Sequence, residues 1–270
     1  VEAYFAERGL AESAASTAFR DLCRDRQGIA FCQHGTLTAA QYGALEEAAR
    51  GALDRGAPRV LDLGCGTGEL GLALAGTLGA ALTGIDSSHS AIAHARRRRD
   101  HDAAEPVPSA RFHHLRIEDA VEKLSAEQGY DIILAVDSLY WLDDPQAALA
   151  GIVRLLRPGG VLLGLESRFE ERSRGARTLA WEDTDLGAAL EELHSAEGSR
   201  VHLSAVDFTE EERRIWLQTP AVCAGREEAF AAEGRLYVLR NLLREAEELE
   251  RAVRHGRGAR YLSILERVAG

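Results

Sequence analysis

Residues Arg59 to Leu70 read RVLDLGCGTGEL: a short apolar run, three glycines at alternate positions, and the start of a leucine- and alanine-rich stretch. Each glycine in an ordered segment costs roughly 0.5–1 kcal/mol relative to alanine, so three together mark a backbone that turns sharply or is closely approached. A strand ending at Asp62-Leu63 would turn through Gly64-Cys65-Gly66-Thr67-Gly68 into the helix ELGLALAGTLG. That geometry places a ligand at the carboxyl end of the strand, where open α/β sheets bind.

The rest of the chain supports such a sheet. From Val60 onward, short runs rich in leucine or β-branched residues (RVLDL, ALTGID, RFHHL, YDIILAV, GVLLGL) alternate with alanine-rich helical segments. This is the signature of βαβ units in a parallel sheet with helices on both faces. Residues 1–57 read as helices, with Thr36 or Thr38 as an N-cap before AAQYGALEEAARGAL. After Glu166 the rhythm changes: RVHLSAVDFT and ARYLSILERV read as two further strands, and 210–258 between them is helical and highly charged. The expected organisation is therefore an N-terminal helical cap over 1–57, a core over 58–209 and 259–270, and a helical insertion or lid over 210–258.

Composition excludes several classes of partner. The net charge of −11 argues against nucleic acid, which needs a concentrated basic surface. The one basic run, Arg96 to Arg99, follows a helical stretch and reads as a solvated helix end. No apolar stretch approaches the ~20 residues of a membrane span, and the first residues lack a signal-peptide pattern, so a soluble cytoplasmic chain is expected. Cys23, Cys32, Cys65 and Cys223 lack paired metal-ligand spacing and read as reduced thiols. His113 and His114 have no third ligand at useful spacing, and no metal is expected.

Dinucleotide sites favour G-x-G-x-x-G, whereas this loop is G-x-G-x-G preceded by Asp62, an acid suited to a ligand with an ammonium group. Asp86, which ends ALTGID 22 residues after Gly64, is placed to hold a ribose diol. At these residues the chain resembles the class I S-adenosylmethionine-dependent methyltransferases, whose most characteristic motif is close to VLDLGCGTG. GIDSS fits the second motif of that family, YDIILAVDSLYWLDD its fourth strand and following loop, and LLRPGGVLL the turn into the fifth strand. Together these cover roughly residues 55–166. The resemblance implies a Rossmann-like, seven-stranded mixed sheet with its last strand antiparallel. It also implies S-adenosyl-L-methionine as cofactor, S-adenosyl-L-homocysteine as product, and a cofactor site drawn from Asp62, Gly64, Cys65, Gly66, Gly68, Asp86, Ser87, Ile117, Glu118 and Asp137. One place departs from the family pattern: Arg116-Ile117 stands where an acidic residue followed by alanine often meets the adenine, with Glu118 and Asp119 just beyond.

Four residues are candidates for catalysis: Asp137, Tyr140, Glu166 and His34. Asp137 follows the fourth strand, where the family faces the methyl-transfer channel, although Asp137 or Ser138 also suits a helix N-cap. Tyr140 and Trp141 read as core aromatics or as the floor of an acceptor pocket. Glu166 ends the fifth strand and is the best-placed carboxylate for a general base, with Asp207 as its rival. His34 lies in an H-x-G segment of the kind that folds over the cofactor in many small-molecule members of the family. Trp216, Phe230 and Tyr237 of the insertion are expected to close over Tyr140 and Trp141. A rival role for those helices is a homodimer face or a surface for a heteromeric partner.

The resulting expectation is methyl transfer to a small molecule. Arginine and alanine enrichment with a single lysine, Lys123, matches high-GC bacterial genes, where such enzymes often tailor natural products. The alternative is a methyltransferase-fold enzyme or subunit repurposed for cyclisation or elimination.

Overall fold

A computed structural model describes residues 13–31, 35–53, 57–101, 107, 109–124, 129–169, 180–197 and 200–268. Seven strands form one sheet: β1 (Arg59–Leu63), β2 (Ala81–Asp86), β3 (Ala110–His114), β4 (Tyr130–Val136), β5 (Leu156–Phe169), β6 (Val201–Asp207) and β7 (Gly258–Arg267). Their order is β3-β2-β1-β4-β5-β7-β6. Strands β1 to β5 are parallel, and β7 runs antiparallel between β5 and β6. The order reverses between β1 and β4, so the carboxyl ends of those strands flank a topological switch point, the usual ligand crevice of open α/β sheets.

The helices divide between two faces. On one face α2 (Ala39–Gly51), α3 (Glu69–Leu78) and α4 (His89–His101) bury Leu45, Leu70, Leu74 and Ile92 against Val60, Ile132, Leu134 and Leu163. On the other, α5 (Ile117–Lys123), α6 (Pro145–Leu155) and α7 (Asp185–Glu197) cover Leu61, Leu63, Ile133 and Leu162. The two-residue period of a strand assigns the functional side chains to these faces. Asp62 shares the α3 face with Val60, and Ser167 shares that face with Leu163 and Leu165, whereas Glu166 shares the opposite face with Leu162.

Thr38, rather than Thr36, caps α2. Its hydroxyl accepts from Gln41 N–H at 3.1 Å, and Gln41 Oε1 accepts from Thr38 N–H at 3.0 Å, a reciprocal capping box.

The arginine run closes α4 with Arg96, Arg97 and Arg99 exposed, as expected of a solvated helix end, but two of its members also reach back to the sheet. Arg96 donates to Phe112 O at 2.7 Å. Arg98 donates to Thr67 O at 2.8 Å and to Thr67 Oγ1 at 3.0 Å, and it pairs with Glu69 at 3.5 Å. These contacts tie α4 to β3 and to the glycine loop, because guanidinium groups can satisfy exposed carbonyls at strand and loop ends.

Between β6 and β7 the chain forms α8 (Thr209–Cys223), α9 (Glu227–Ala232) and α10 (Leu236–Arg254). Together with α1 (Thr17–Gln27) these helices build a separate small core from Leu22, Cys223, Phe230, Val238 and Leu239. The expectation that Trp216, Phe230 and Tyr237 close over Tyr140 and Trp141 is therefore not met. Phe230 is fully buried under α1, Trp216 packs edge-on against Phe169 at 6.4 Å with Arg26 4.7 Å above its ring, and Tyr237 is exposed. Burial against another helix removes more apolar area than a partly open pocket would, and that contact prevails.

Candidate functional site

Three residues of the loop after β1 have positive φ: Gly64 at 75°, Gly66 at 53° and Gly68 at 76°. Their surroundings differ. A Cβ at Gly64 would lie 2.5 Å from Ser138 Cβ, so this glycine lets the loop after β4 pack against the loop after β1. Gly68 backs onto Phe112 and Ala95. A Cβ at Gly66 would meet nothing within 4 Å, so Gly66 borders open space at the sheet edge, the one position of the three where a ligand has room to press on the backbone.

Asp86 organises this loop. Its Oδ2 accepts from Gly66 N–H at 2.8 Å and its Oδ1 from Ser88 N–H at 2.7 Å, while Gly64 and Cys65 N–H both donate to Ile85 O. The buried carboxylate thus fixes the loop beside the opening at Gly66. Ser87 is half-buried next to it, and Ser88 rather than Ser87 caps the following helix, its hydroxyl accepting from Ala91 N–H at 3.2 Å. Cys65 points into the core against Gly84, and burial holds its thiol far above the usual range.

Asp62 lies buried beneath Gly71 of α3, and its Oδ2 has no hydrogen-bond partner. Desolvation, with the neighbouring Asp86 adding to it, pushes its carboxyl up to about 7. A cation arriving at this edge would favour the ionised form and relieve that cost.

Asp137 follows β4 directly with φ of 52°, the one non-glycine residue at positive φ among the described residues. Strain of this kind costs of order 1–3 kcal/mol and persists where the surroundings over-determine it. Here they do. Arg260 of β7, fully buried, grips both Asp137 oxygens at 2.8 and 3.1 Å, and Gly35 packs so closely on Oδ2 that any side chain there would collide with it. Arg260 also donates to Ser167 Oγ and lies 3.7 Å from Glu212 Oε2. Glu212, buried on α8, accepts from Ser167 Oγ at 2.9 Å, Trp216 Nε1 at 2.7 Å and Thr36 Oγ1. Sequence reasoning missed Arg260, Glu212, Ser167 and Thr36. The legible signal was Arg260, a charge at an inward position of the apolar strand ARYLSIL.

Glu166 lies on the opposite sheet face, half-buried, and Oε1 has no partner. Burial, then Asp137, pushes its carboxyl up to about 8 against the lowering effect of backbone N–H bonds from Leu139 and Tyr140. It lines a cavity of about 160 Å³ together with Tyr140, Trp181 and Tyr261. Tyr140 and Trp141 are 47% and 40% exposed.

The remaining candidates divide. Ile117 opens α5 half-buried, within the apolar cluster on that face. Glu118 turns to the surface, accepting from Asp143 N–H at 3.2 Å and from Arg116 at 3.3 Å. Asp207 accepts from Thr209 N–H at 2.8 Å, making the turn from β6 into α8. His34 lies outside the described residues. No group of metal-ligating side chains and no helix long and apolar enough to cross a membrane occurs among the described residues.

The opening at Gly66, the clasp at Asp86 and the uncompensated Asp62 fit a ligand that crosses the ends of β1 and β2 and carries a positive group. Residues 61–162 match a family model described as a methyltransferase domain. An O-methyltransferase from Pyrenophora dematioidea is 34% identical over 100 residues, 37% of this chain and 36% of that protein. The match spans little more than a third of the length of such curated relatives.

Three solved structures share the fold over most of the chain. The cyclopropane synthase MmaA2 from Mycobacterium tuberculosis superposes with a TM-score of 0.68 at 18% identity, over 96% of this chain and 97% of that one. The [4+2]-cyclase SpnF does so with 0.61 at 20%, over 88% and 84%. A SAM-dependent methyltransferase from Thiobacillus denitrificans, in complex with S-adenosyl-L-homocysteine, gives 0.54 at 22%, over 92% and 97%. Strand order, the antiparallel β7 and the glycine loop define a Rossmann-like methyltransferase fold. Residues 61–162 match the methyltransferase-domain family, and they carry β1 to β4 and the start of β5 of this sheet.

Proposed function

We propose that the chain transfers a methyl group from S-adenosylmethionine to an oxygen of a small-molecule acceptor. The observation that carries this reading is the open space at Gly66, flanked by Asp86 and by the partnerless Asp62. The O-methyltransferases among its relatives support an oxygen acceptor.

When bound, S-adenosylmethionine supplies an electrophilic methyl group on a sulfonium. Gly64, Cys65, Gly66 and Gly68 form the cradle, with Asp86 and Ser87 toward the ribose, Asp62 toward the ammonium and Ile117 and Glu118 on the adenine side. Asp137, held by Arg260, shapes the floor beneath the reacting atoms. Its carboxylate is committed to that ion pair, so we assign it to positioning. Most of the acceleration in such a site comes from fixing acceptor and methyl in near-attack geometry. Glu166 is the candidate to take the proton an oxygen acceptor loses. The helices α1 and α8–α10 form the cap.

Calorimetric titration with S-adenosylhomocysteine tests the reading. Binding is expected, and Asp86→Ala should weaken it by about 1.5–3 kcal/mol, the range for hydrogen bonds to a charged group. Absence of binding to the folded wild-type chain would refute the cofactor site. The repurposed-enzyme alternative, compatible with the SpnF likeness, keeps cofactor binding but consumes no methyl during turnover.

A further inference from the structure

Helix α1 touches both walls of the crevice at the switch point. In its amino half, Arg20 donates to Glu69 Oε1 at 2.7 Å, and Glu69 directly follows the last glycine of the loop after β1. At its carboxyl end, Gln27 Nε2 donates to Gly35 O at 3.0 Å, and Gly35 rests on the Asp137 carboxylate after β4. Arg20 and Gln27 lie seven residues apart, about 10 Å along a helix. One helix thus bridges the loop after β1 and, through Gly35, the end of β4.

Glu69 is the joint on the glycine-loop side. Its side chain is largely buried, and Arg98 of α4 approaches its second oxygen at 3.5 Å. Arg98 also donates to the carbonyl and the hydroxyl of Thr67 inside the loop, at 2.8 and 3.0 Å. Arg20 in turn donates to Ala30 O at 3.0 Å, just beyond the end of α1. One carboxylate therefore links the backbone beside Gly66 to the cap.

The apolar side of α1 faces the insertion instead, where Ala18, Phe19 and Leu22 pack with Phe230 and Leu239. Arg26 and Asp25 strengthen that side, bonding Thr219 and Arg226. The contact with the loop is polar, and the Arg20 side chain is 36% exposed. Ion pairs of that kind are individually weak, so α1 can part from the loop without unfolding the sheet. A ligand pressing on Gly66 restrains the loop that carries Glu69, and less freedom is then lost when Arg20 engages.

We propose that Arg20 and Glu69 are positioning residues of the cofactor site, coupling the docking of α1 to the binding of cofactor at the glycine loop. The inference rests on the methyltransferase reading and adds how the cap takes part in it. Coupling is reciprocal: a ligand that tightens α1 is itself bound more tightly by the same factor.

Hydrogen exchange of the full chain, with and without saturating S-adenosylhomocysteine, reads the coupling, and calorimetry reads the affinity. In the wild type the ligand should slow exchange in residues 17–27 at least fivefold. In Arg20→Gln and in Glu69→Gln it should still bind, with that slowing below twofold and affinity lowered at least threefold. Arg20→Lys, which keeps the charge, should restore most of both. The double variant should be no weaker than either single one, since a single interaction is lost in all three. Unchanged protection of β1 and β4 in the ligand-free variants reports that the sheet is folded.

Failure of S-adenosylhomocysteine to bind the wild type overturns the methyltransferase reading and this inference with it. Binding that leaves exchange in 17–27 unchanged, wild-type affinity in Arg20→Gln, or equal losses in Arg20→Lys and Arg20→Gln overturns the coupling alone.

Discussion

Arg260 reaches Asp137 Oδ1 with Nη1 at 2.8 Å and Oδ2 with Nη2 at 3.1 Å, joining the start of β7 to the strained end of β4. The pair matters more for what its loss would leave than for its own attraction. Removing Arg260 strands Asp137 and leaves the buried Glu212 with only Arg26 as counter-charge, and breaking a buried pair from one side costs about 3–5 kcal/mol. Arg260→Leu should lower the urea midpoint accordingly, and Arg260→Leu with Glu212→Gln should recover part of the loss. A single-variant loss below about 1 kcal/mol, the scale of an exposed pair, would show that the network is not a structural anchor.

The glycines of the loop should separate folding from binding. Gly66→Ala introduces a Cβ into open space at a positive φ, which costs about 1–2 kcal/mol of stability. Its main effect should be on the cofactor, with S-adenosylhomocysteine affinity lowered at least tenfold. Gly64→Ala drives a Cβ to 2.5 Å from Ser138 and should chiefly destabilise, with Ser138→Gly in the same chain as partial rescue. Thermal melts and calorimetry on the same samples check both. Reversed effects at the two positions would mean that Gly66 is only a turn.

Asp62 gives cofactor binding a proton signature. With its carboxyl at about 7 in the free protein, close to half the molecules carry the proton at neutral pH. A ligand bringing an ammonium group favours the ionised form, so binding should release that proton. S-adenosylhomocysteine affinity should therefore fall as pH drops below about 7, approaching tenfold per pH unit. Asp62→Asn should flatten that profile. Calorimetry in two buffers of different ionisation heat measures the released proton directly, and a pH-independent wild-type affinity would remove Asp62 from the site.

Glu166 should leave its mark on stability. Its folded value of about 8 lies above the 4.5 of an unperturbed glutamate, so between these values the native state binds more protons than the unfolded chain. Stability must then fall as pH rises across that window: the contribution is complete below the unfolded value and gone above the folded one. Glu166→Gln removes the titration, and its stability relative to wild type should rise steadily from about pH 5 to about pH 8. Urea unfolding at several pH values checks the sign. A constant difference between the two proteins would place Glu166 in an ordinary solvated setting.

The parts of this architecture that were legible in the sequence are those governed by short periods. The short apolar runs RVLDL and YDIILAV and the G-x-G-x-G spacing dictate strand, turn and ligand edge, and Asp86 follows from its place at the end of β2. The network around Arg260 was not legible, because Thr36, Asp137, Ser167, Glu212 and Arg260 come from five separated segments. No local pattern says that a charge at an inward strand position will find its counter-charge on a helix of the insertion. The helical, charged character of 210–258 was equally visible, but the face it meets was not. Tyr140 and Trp141 looked like its partners, whereas Leu22 and Phe230 provide the larger apolar contact.

The same contact yields the last prediction. Phe230 is fully buried between α1 and α10, 208 positions after Leu22 in the chain, so the N-terminal helix and the insertion share one core. Glu233 strengthens the joint, accepting from Ser16 Oγ at 2.6 Å and from Ala18 N–H at 3.0 Å. Phe230→Ala should cost about 3–5 kcal/mol locally. Residues 17–27 and 236–254 should then lose hydrogen-exchange protection together, as one cooperative unit, while β1 and β4 remain protected. Replacing 212–256 by a short turn removes Glu212 as well as the seat of α1. That variant should expose Leu22 and aggregate rather than survive as a core that still binds cofactor. A soluble deletion variant with intact S-adenosylhomocysteine affinity, or protection lost from 236–254 alone in Phe230→Ala, would show that the two segments fold independently.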